Sequence, residues 1–158
     1  MTIDEASQVL AALLDEGVEF VLIGSMAMAV QGLPRATHDI DFFVSPDPGN
    51  IQRLKRALRA LFDDPSVDQI DAAELAGAYP AVEYVPPHGR FSMDILTRLG
   101  EAFQYADVAA GSEIVELGDL RVRVATPRML YTMKKDTVRP QDRADALRIR
   151  EAFDLEDD

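Results

Sequence analysis

The sequence lacks cysteine and tryptophan altogether, and its 158 residues include only two histidines, His38 and His88. Without cysteine the chain can form no disulfide, thiolate nucleophile or zinc–sulfur site, and two histidines are too few for a histidine-based metal cage. No apolar run approaches the length that spans a membrane, and the acidic N-terminus, Met-Thr-Ile-Asp-Glu, does not resemble a signal peptide. These absences predict a cytoplasmic protein with no membrane partner.

Basic residues are also scarce, at 16 Lys and Arg against 28 Asp and Glu, so the net charge is −12. This balance argues against broad, non-specific binding of nucleic acids, which needs a basic surface. The charge is uneven, because residues 121–150 carry nine Lys or Arg against three Asp while the remainder is strongly acidic. Two interpretations stay open for that segment: solvated charges on amphipathic helices, or a basic surface that faces a polyphosphate–metal site.

Apolar residues make up 47% of the sequence, and no linker or repeat divides it. Residues 1–158 are therefore predicted to form one domain, with residues 126–153 as C-terminal helices packed on it. Periodicity and capping signals predict helices at 4–16, 25–31, 48–62, 72–76, 101–109, 126–135 and 141–153, with Ser25 capping the second. Short apolar runs predict strands at 20–23, 39–44, 81–85, 91–96, 114–117 and 120–125. The order of elements indicates an α/β (α+β) fold, a mixed β-sheet flanked by helices.

Two aspartates, Asp39 and Asp41, stand two residues apart on one predicted strand. Side chains at i and i+2 of a strand point to the same face. Two carboxylates about 4 Å apart repel each other by roughly 1 kcal/mol in water and by several at a lower effective dielectric. A cation between them removes that cost, and Mg²⁺ is commonly shared between protein carboxylates and substrate phosphates. The pair therefore indicates metal-dependent chemistry on a nucleotide.

Two further features stand near this pair in the predicted fold. Gly24 and Ser25 join a strand to a helix, where free backbone N–H groups can receive a phosphate; a plain turn with a serine cap is the simpler interpretation. Asp94 interrupts an otherwise core-like strand, which costs stability unless the carboxylate is paired or metal-bound. If that strand lies beside residues 39–44, Asp94 joins the pair; otherwise it is a strand-end aspartate reaching solvent.

Two stretches carry a resemblance to a known family. The sequence of residues 35–41, Arg-Ala-Thr-His-Asp-Ile-Asp, resembles the Arg-x-Thr-x-Asp-Ile-Asp motif of AbiEii-type nucleotidyltransferases, which have the nucleotidyltransferase fold of the polymerase-beta superfamily. Residues 134–145 are similar to that family's Lys…Arg-Pro-Lys-Asp-x-x-Asp segment, with Gln141 where a lysine is common. The family includes toxins of type IV toxin–antitoxin pairs. The resemblance thus touches most of the chain.

The resemblance implies an Mg²⁺-dependent enzyme that transfers a nucleoside monophosphate from a nucleoside triphosphate, ATP among them, to an acceptor hydroxyl and releases pyrophosphate. Mg²⁺, as one ion or two, would be bound by Asp39, Asp41 and Asp94, which are also the implied catalytic residues. The nucleotide would be bound by Gly24, Ser25, Arg35, Lys134 and Asp142. For Arg35, a phosphate contact and a salt bridge that supports the loop are equally open.

The sequence leaves the partners open. The acceptor could be a small molecule, a protein side chain or a tRNA end, because the chain is short beyond its predicted catalytic core. An antitoxin partner and a homodimer are both compatible with the sequence. The alternative to an enzyme is a non-catalytic nucleotide- or partner-binding protein on the same fold. Retention of three mutually repelling aspartates favours the enzyme.

Overall fold

The fold is a mixed β-sheet flanked by helices, in a computed structural model that describes residues 1–34 and 36–156. Arg35 lies outside the described residues, so its predicted role stays a prediction. The strands are β1 Phe20–Ile23, β2 Asp39–Val44, β3 Ala81–Tyr84, β4 Ser92–Leu96, β5 Arg98–Leu99, β6 Phe103–Gln104, β7 Ser112–Leu117 and β8 Leu120–Ala125. The helices are α1 Ile3–Asp15, α2 Gly24–Val30, α3 Pro48–Phe62, α4 Ala72–Ala76, α5 Tyr105–Ala110, α6 Pro127–Lys134 and α7 Pro140–Phe153, with a short 3₁₀ turn at Pro65–Gln69.

Six of the strands form one sheet in the order β3-β4-β2-β1-β8-β7. The pairs β2–β4 and β1–β8 are parallel, and the other neighbours are antiparallel. β1 lies inside the sheet, and all four of its apolar residues are buried. The α/β (α+β) fold with a mixed sheet is confirmed.

Alternation along β2 and β4 divides core residues from polar ones. Ile40 and Phe42 of β2, and Met93 and Ile95 of β4, are all fully buried. Because successive side chains point to opposite faces, the intervening aspartates project together from the other face. The hydrophobic core therefore determines which way the site residues point.

Most helix boundaries follow the capping signals. The Asp47 carboxylate accepts the backbone N–H of Asn50 at 3.2 Å, with Pro48 at the first helical position of α3. The Thr126 hydroxyl accepts the backbone N–H of Met129 at 3.1 Å and begins α6. Both side chains satisfy N–H groups that the first turn leaves without a carbonyl partner.

Two local predictions were wrong. Helix 101–109 begins only at Tyr105, because residues 98–104 form the small ribbon β5–β6, whose turn contains Gly100 at φ +58°. Ser25 does not cap α2: the helix begins at Gly24, the capping position is Ile23, and no side chain supplies a cap bond. β1 runs directly into α2, which leaves no separate capping residue between them. Among the described residues, no helix combines the length and apolar character needed to cross a membrane.

Candidate active site

The site begins with the register of β2 and β4. Asp41 of β2 is paired with Asp94 of β4, and Asp39 is paired with Ser92, whose hydroxyl donates to the Asp39 carboxylate. Thr37 holds the start of β2, because its hydroxyl oxygen accepts the Asp39 backbone N–H at 3.1 Å. Because β4 lies beside β2, Asp94 joins the pair formed by Asp39 and Asp41.

Asp41 and Asp94 are neighbours on adjacent strands. The pKa of Asp41 is raised to about 7. Burial of the carboxyl group is the largest cause, followed by the hydrogen bond to Asp94 and the negative charges of Asp94 and Asp39, while Lys134 opposes the rise. The arrangement disfavours two adjacent buried carboxylates unless a proton or a cation compensates their charge.

Gly24 lies directly against the Asp41 carboxylate. Its φ of +69° is a conformation that other residues adopt only with strain. A Cβ atom at this position would lie 2.0 Å from Oδ2 of Asp41 and 2.8 Å from its Cγ. Both the backbone conformation and the close approach therefore require glycine, and the N-terminal turn of α2 borders the aspartates.

The opposite side of the site is built by α6 and α7. The Lys134 ammonium donates to Oδ2 of Asp145 at 3.0 Å and to Oδ1 of Asp142 at 3.4 Å. Oδ2 of Asp142 also accepts the Thr137 hydroxyl at 3.1 Å. Asp145 is only 2% exposed, and its Oδ1 accepts the Gln141 side-chain amide at 2.9 Å. Lys134 is thus positioned by carboxylates of α7, one of them fully buried.

Most of these groups open onto one cleft of about 600 Å³, within the size range of ligand pockets. Its lining includes every described residue that the sequence predicted for the site, namely Gly24, Ser25, Asp39, Asp41, Asp94, Lys134 and Asp142. Sequence reasoning missed the further lining residues Glu83, Thr137 and Arg139, as well as Asp145 behind Lys134. For Asp145 a signal existed, since it follows Asp142 by three residues and so shares a helix face with it. For Glu83 the sequence contained no such signal.

The donors at the aspartate end suit a hard divalent cation. They are carboxylate oxygens, and Oδ2 of Asp41 fits against Gly24 only because this residue has no Cβ atom. Among residues 1–34 and 36–156, no three acidic or histidine side chains already form a complete metal-binding set. Mg²⁺ usually takes one or two carboxylates and completes its shell with substrate phosphates and water. The residues therefore fit a cation that arrives with a nucleotide.

The raised pKa of Asp41 predicts a pH dependence of stability. A carboxyl group whose pKa is higher in the folded than in the unfolded chain stabilises the fold fully below the unfolded value of 3.8, and this contribution is lost as the pH rises through about 7. Without metal, the melting temperature should therefore fall between pH 5 and pH 8. Added Mg²⁺ with a nucleotide should raise the melting temperature more at pH 8 than at pH 5, because at pH 8 the cation has less need to displace a proton from Asp41.

Differential scanning fluorimetry of the parent and of Asp41→Asn over this range measures the effect. The pKa of Glu5 is lowered to about 2, chiefly by the backbone hydrogen bond at Thr2. Glu5 therefore stabilises the fold above pH 4.5 and loses this effect only as the pH falls toward 2. Its titration lies outside the range between pH 5 and pH 8. Asp41→Asn should flatten the slope. Equal slopes in the two proteins would contradict the shift assigned to Asp41.

The buried ion pair of Lys134 predicts that loss of this side chain destabilises the fold. Replacing Lys134 by methionine should destabilise the fold by about 3 kcal/mol, because it removes the cation bonded to the buried carboxylate of Asp145. Adding Asp145→Asn should restore most of the stability, because it removes the buried charge that Lys134 compensates. Urea denaturation of the parent and both variants measures the effect. A Lys134→Met protein as stable as its parent would be inconsistent with a buried pair.

Comparison with known proteins yields one family and one fold. The profile of the family described as "Nucleotidyl transferase AbiEii toxin, Type IV TA system" matches residues 8–157. Among solved structures, that of a candidate nucleotidyltransferase from Thermotoga maritima is similar, with a TM-score of 0.55 and 18% identity over 98% of this chain and 92% of the other. At that identity the likeness establishes the fold alone, which is the nucleotidyltransferase fold. No protein of curated function matches the sequence.

Proposed function

Because the chain belongs to the AbiEii nucleotidyltransferase toxin family of type IV toxin–antitoxin systems, we propose that it transfers a nucleoside monophosphate from a nucleoside triphosphate to an acceptor hydroxyl. Pyrophosphate is the leaving group. The family also supports an antitoxin as the partner of this chain.

The observation that carries the proposal is the meeting of three aspartates with a glycine turn on one side and a lysine on the other. Asp39 and Asp41 would hold Mg²⁺, with Asp94 as the third carboxylate of the same row. When bound, the cation would neutralise triphosphate charge and polarise the reacting phosphate. The Ser92 hydroxyl donates to the Asp39 carboxylate and would hold it in place for this role.

The remaining residues serve the phosphates and the acceptor. The Ser25 hydroxyl and the backbone at Gly24 would contact the terminal phosphates. Lys134 would compensate the charge that develops on the departing pyrophosphate. Asp94 would orient the acceptor hydroxyl and accept its proton. Catalysis would thus consist mostly of positioning and charge compensation, as is usual for phosphoryl chemistry.

The test is incubation with each α-³²P-labelled nucleoside triphosphate and Mg²⁺, with a cell extract as the source of acceptor. Label should move to a macromolecule or metabolite with the parent protein and not with Asp39→Ala/Asp41→Ala. Asp119→Asn, a change at an exposed hairpin turn, is the matched control and should transfer label normally. Mg²⁺-dependent nucleotide binding without any transfer would instead support a non-catalytic nucleotide-binding protein.

A further inference from the structure

Three donor groups on the wall formed by α6 and α7 meet at one carboxylate. Asp142 accepts the Lys134 ammonium at 3.4 Å on Oδ1 and the Thr137 hydroxyl at 3.1 Å on Oδ2. Nε of Arg139 lies 3.9 Å from the same Oδ2. All four residues line the cleft. The turn between α6 and α7 therefore brings two cations and a hydroxyl group to one anionic position at the cleft.

The charge of Lys134 is already compensated within this wall. Its ammonium is paired with Asp142 at 3.4 Å and with the buried carboxylate of Asp145 at 3.0 Å. One cation against two carboxylates leaves a net negative charge at this point, which repels the phosphates of a nucleotide. The phosphate site of the proposed function therefore needs a further cation on this wall.

Arg139 can supply that cation. Its side chain is 76% exposed, and its contact with Asp142 is long for an ion pair. An exposed pair of this kind contributes little to stability, so the guanidinium can turn to another anion at little cost. Within residues 1–34 and 36–156 it has no closer anionic partner. A guanidinium also presents two parallel N–H groups to a phosphate, which an ammonium group cannot do.

The Thr137 hydroxyl can turn to a phosphate as well. It has a single proton and two acceptors within reach, Oδ2 of Asp142 at 3.1 Å and the Lys134 carbonyl at 3.3 Å. Because a hydroxyl proton rotates about the C–O bond, the same group can donate to a phosphate oxygen in the cleft.

We infer that Thr137 and Arg139 bind the β- and γ-phosphates of the nucleotide together with Lys134. The inference rests on the proposed function and adds two residues to its phosphate site. The pyrophosphate group then lies between the first turn of α2, at Gly24 and Ser25, and the turn that joins α6 to α7. Because Thr137 and Arg139 contact only the terminal phosphates, their contribution depends on how many phosphates the nucleotide carries.

Isothermal titration calorimetry with Mg²⁺ and nucleotides of three lengths tests this dependence. The triphosphate is whichever of ATP, GTP, CTP and UTP the parent protein binds most tightly, and it is compared with its own diphosphate and monophosphate. Arg139→Gln should weaken binding of the triphosphate about tenfold or more, because a contact between two charged groups is lost. Binding of the monophosphate should change less than about twofold. Arg139→Lys should retain part of the affinity, since it keeps the charge without the fork.

Two further comparisons separate the phosphate contacts from effects on the fold. Thr137→Val should weaken binding of the triphosphate about fivefold, because a hydrogen bond to a charged group is lost. Thr137→Ser keeps the hydroxyl group and should bind like the parent. Arg143→Gln is the matched control and should leave all three affinities unchanged, since this exposed arginine one turn further along α7 is not among the described residues that line the cleft.

The outcomes distinguish this inference from the proposed function. Unchanged binding of the triphosphate in Arg139→Gln or in Thr137→Val overturns the inference, as does equal weakening for all three nucleotides, and both leave the proposed function standing. A parent protein that binds no nucleotide in the presence of Mg²⁺ overturns the proposed function, and the phosphate site with it.

Discussion

Replacing Asp41 by asparagine is expected to lower the rate of nucleotidyl transfer on the order of 1,000-fold while the protein stays folded. Asparagine keeps the shape of the side chain but removes the negative charge that a cation needs. The same change removes the carboxyl group whose pKa burial and Asp94 raise to about 7. At pH 8 without metal, the variant should therefore melt at or above the temperature of the parent.

Turnover of labelled triphosphate and thermal melting, measured on the same preparations, test both halves of this expectation. Asp119→Asn makes the same chemical change away from the cleft and should alter neither property. Full turnover by Asp41→Asn would rule out the metal site. A loss of turnover accompanied by unfolding would leave the site unsupported, because it would assign Asp41 a structural role alone.

Replacing Gly24 by alanine is expected to reduce transfer on the order of 100-fold and to lower the free energy of unfolding by about 1–3 kcal/mol. The backbone at φ +69° is strained for any residue with a Cβ atom. In addition, that atom would lie 2.0 Å from Oδ2 of Asp41, so the carboxylate must move away from the aspartate row. A displacement of this size at a reacting group is costly, because catalysis depends on position.

Gly118→Ala is the matched control for this effect. Gly118 has a similar φ of +61°, but a Cβ atom there would meet nothing within 4 Å. It should lose stability through backbone strain and keep its transfer activity. The difference between the two variants in urea denaturation and in transfer rate isolates the contact with Asp41. Equal behaviour of the two would contradict the claim that Gly24 makes room for that carboxylate.

Local signals predicted most elements of the fold. The apolar run of β1 was predicted with the bounds that the structure has, as was β2 with its two aspartates. Helices α3 and α6 begin at or next to their predicted first residues, because a capping side chain and its helix are neighbours in sequence. The ribbon β5–β6 was missed because pairing of two-residue strands depends on a turn at Gly100 that is not distinctive in the sequence.

The site was predictable only as far as its motifs reach. Asp94 was placed with Asp39 and Asp41 only on the condition that β4 lies beside β2. The two strands are about 50 residues apart in the sequence, so their pairing is a property of the whole fold and not of a local pattern. The bond between Lys134 and buried Asp145 requires the packing of α6 on α7, and the place of Glu83 requires the register of β3. The pKa of Asp41 depends on burial, which no local pattern reveals.

The most direct measurement is the stoichiometry of pyrophosphate release. With Mg²⁺, a nucleoside triphosphate and an acceptor fraction, the parent protein should release one pyrophosphate for each nucleoside monophosphate incorporated, and Asp41→Asn should release none above background. Release of orthophosphate in place of pyrophosphate, or equal pyrophosphate release by the variant, would contradict nucleotidyl transfer at the aspartates of β2 and β4.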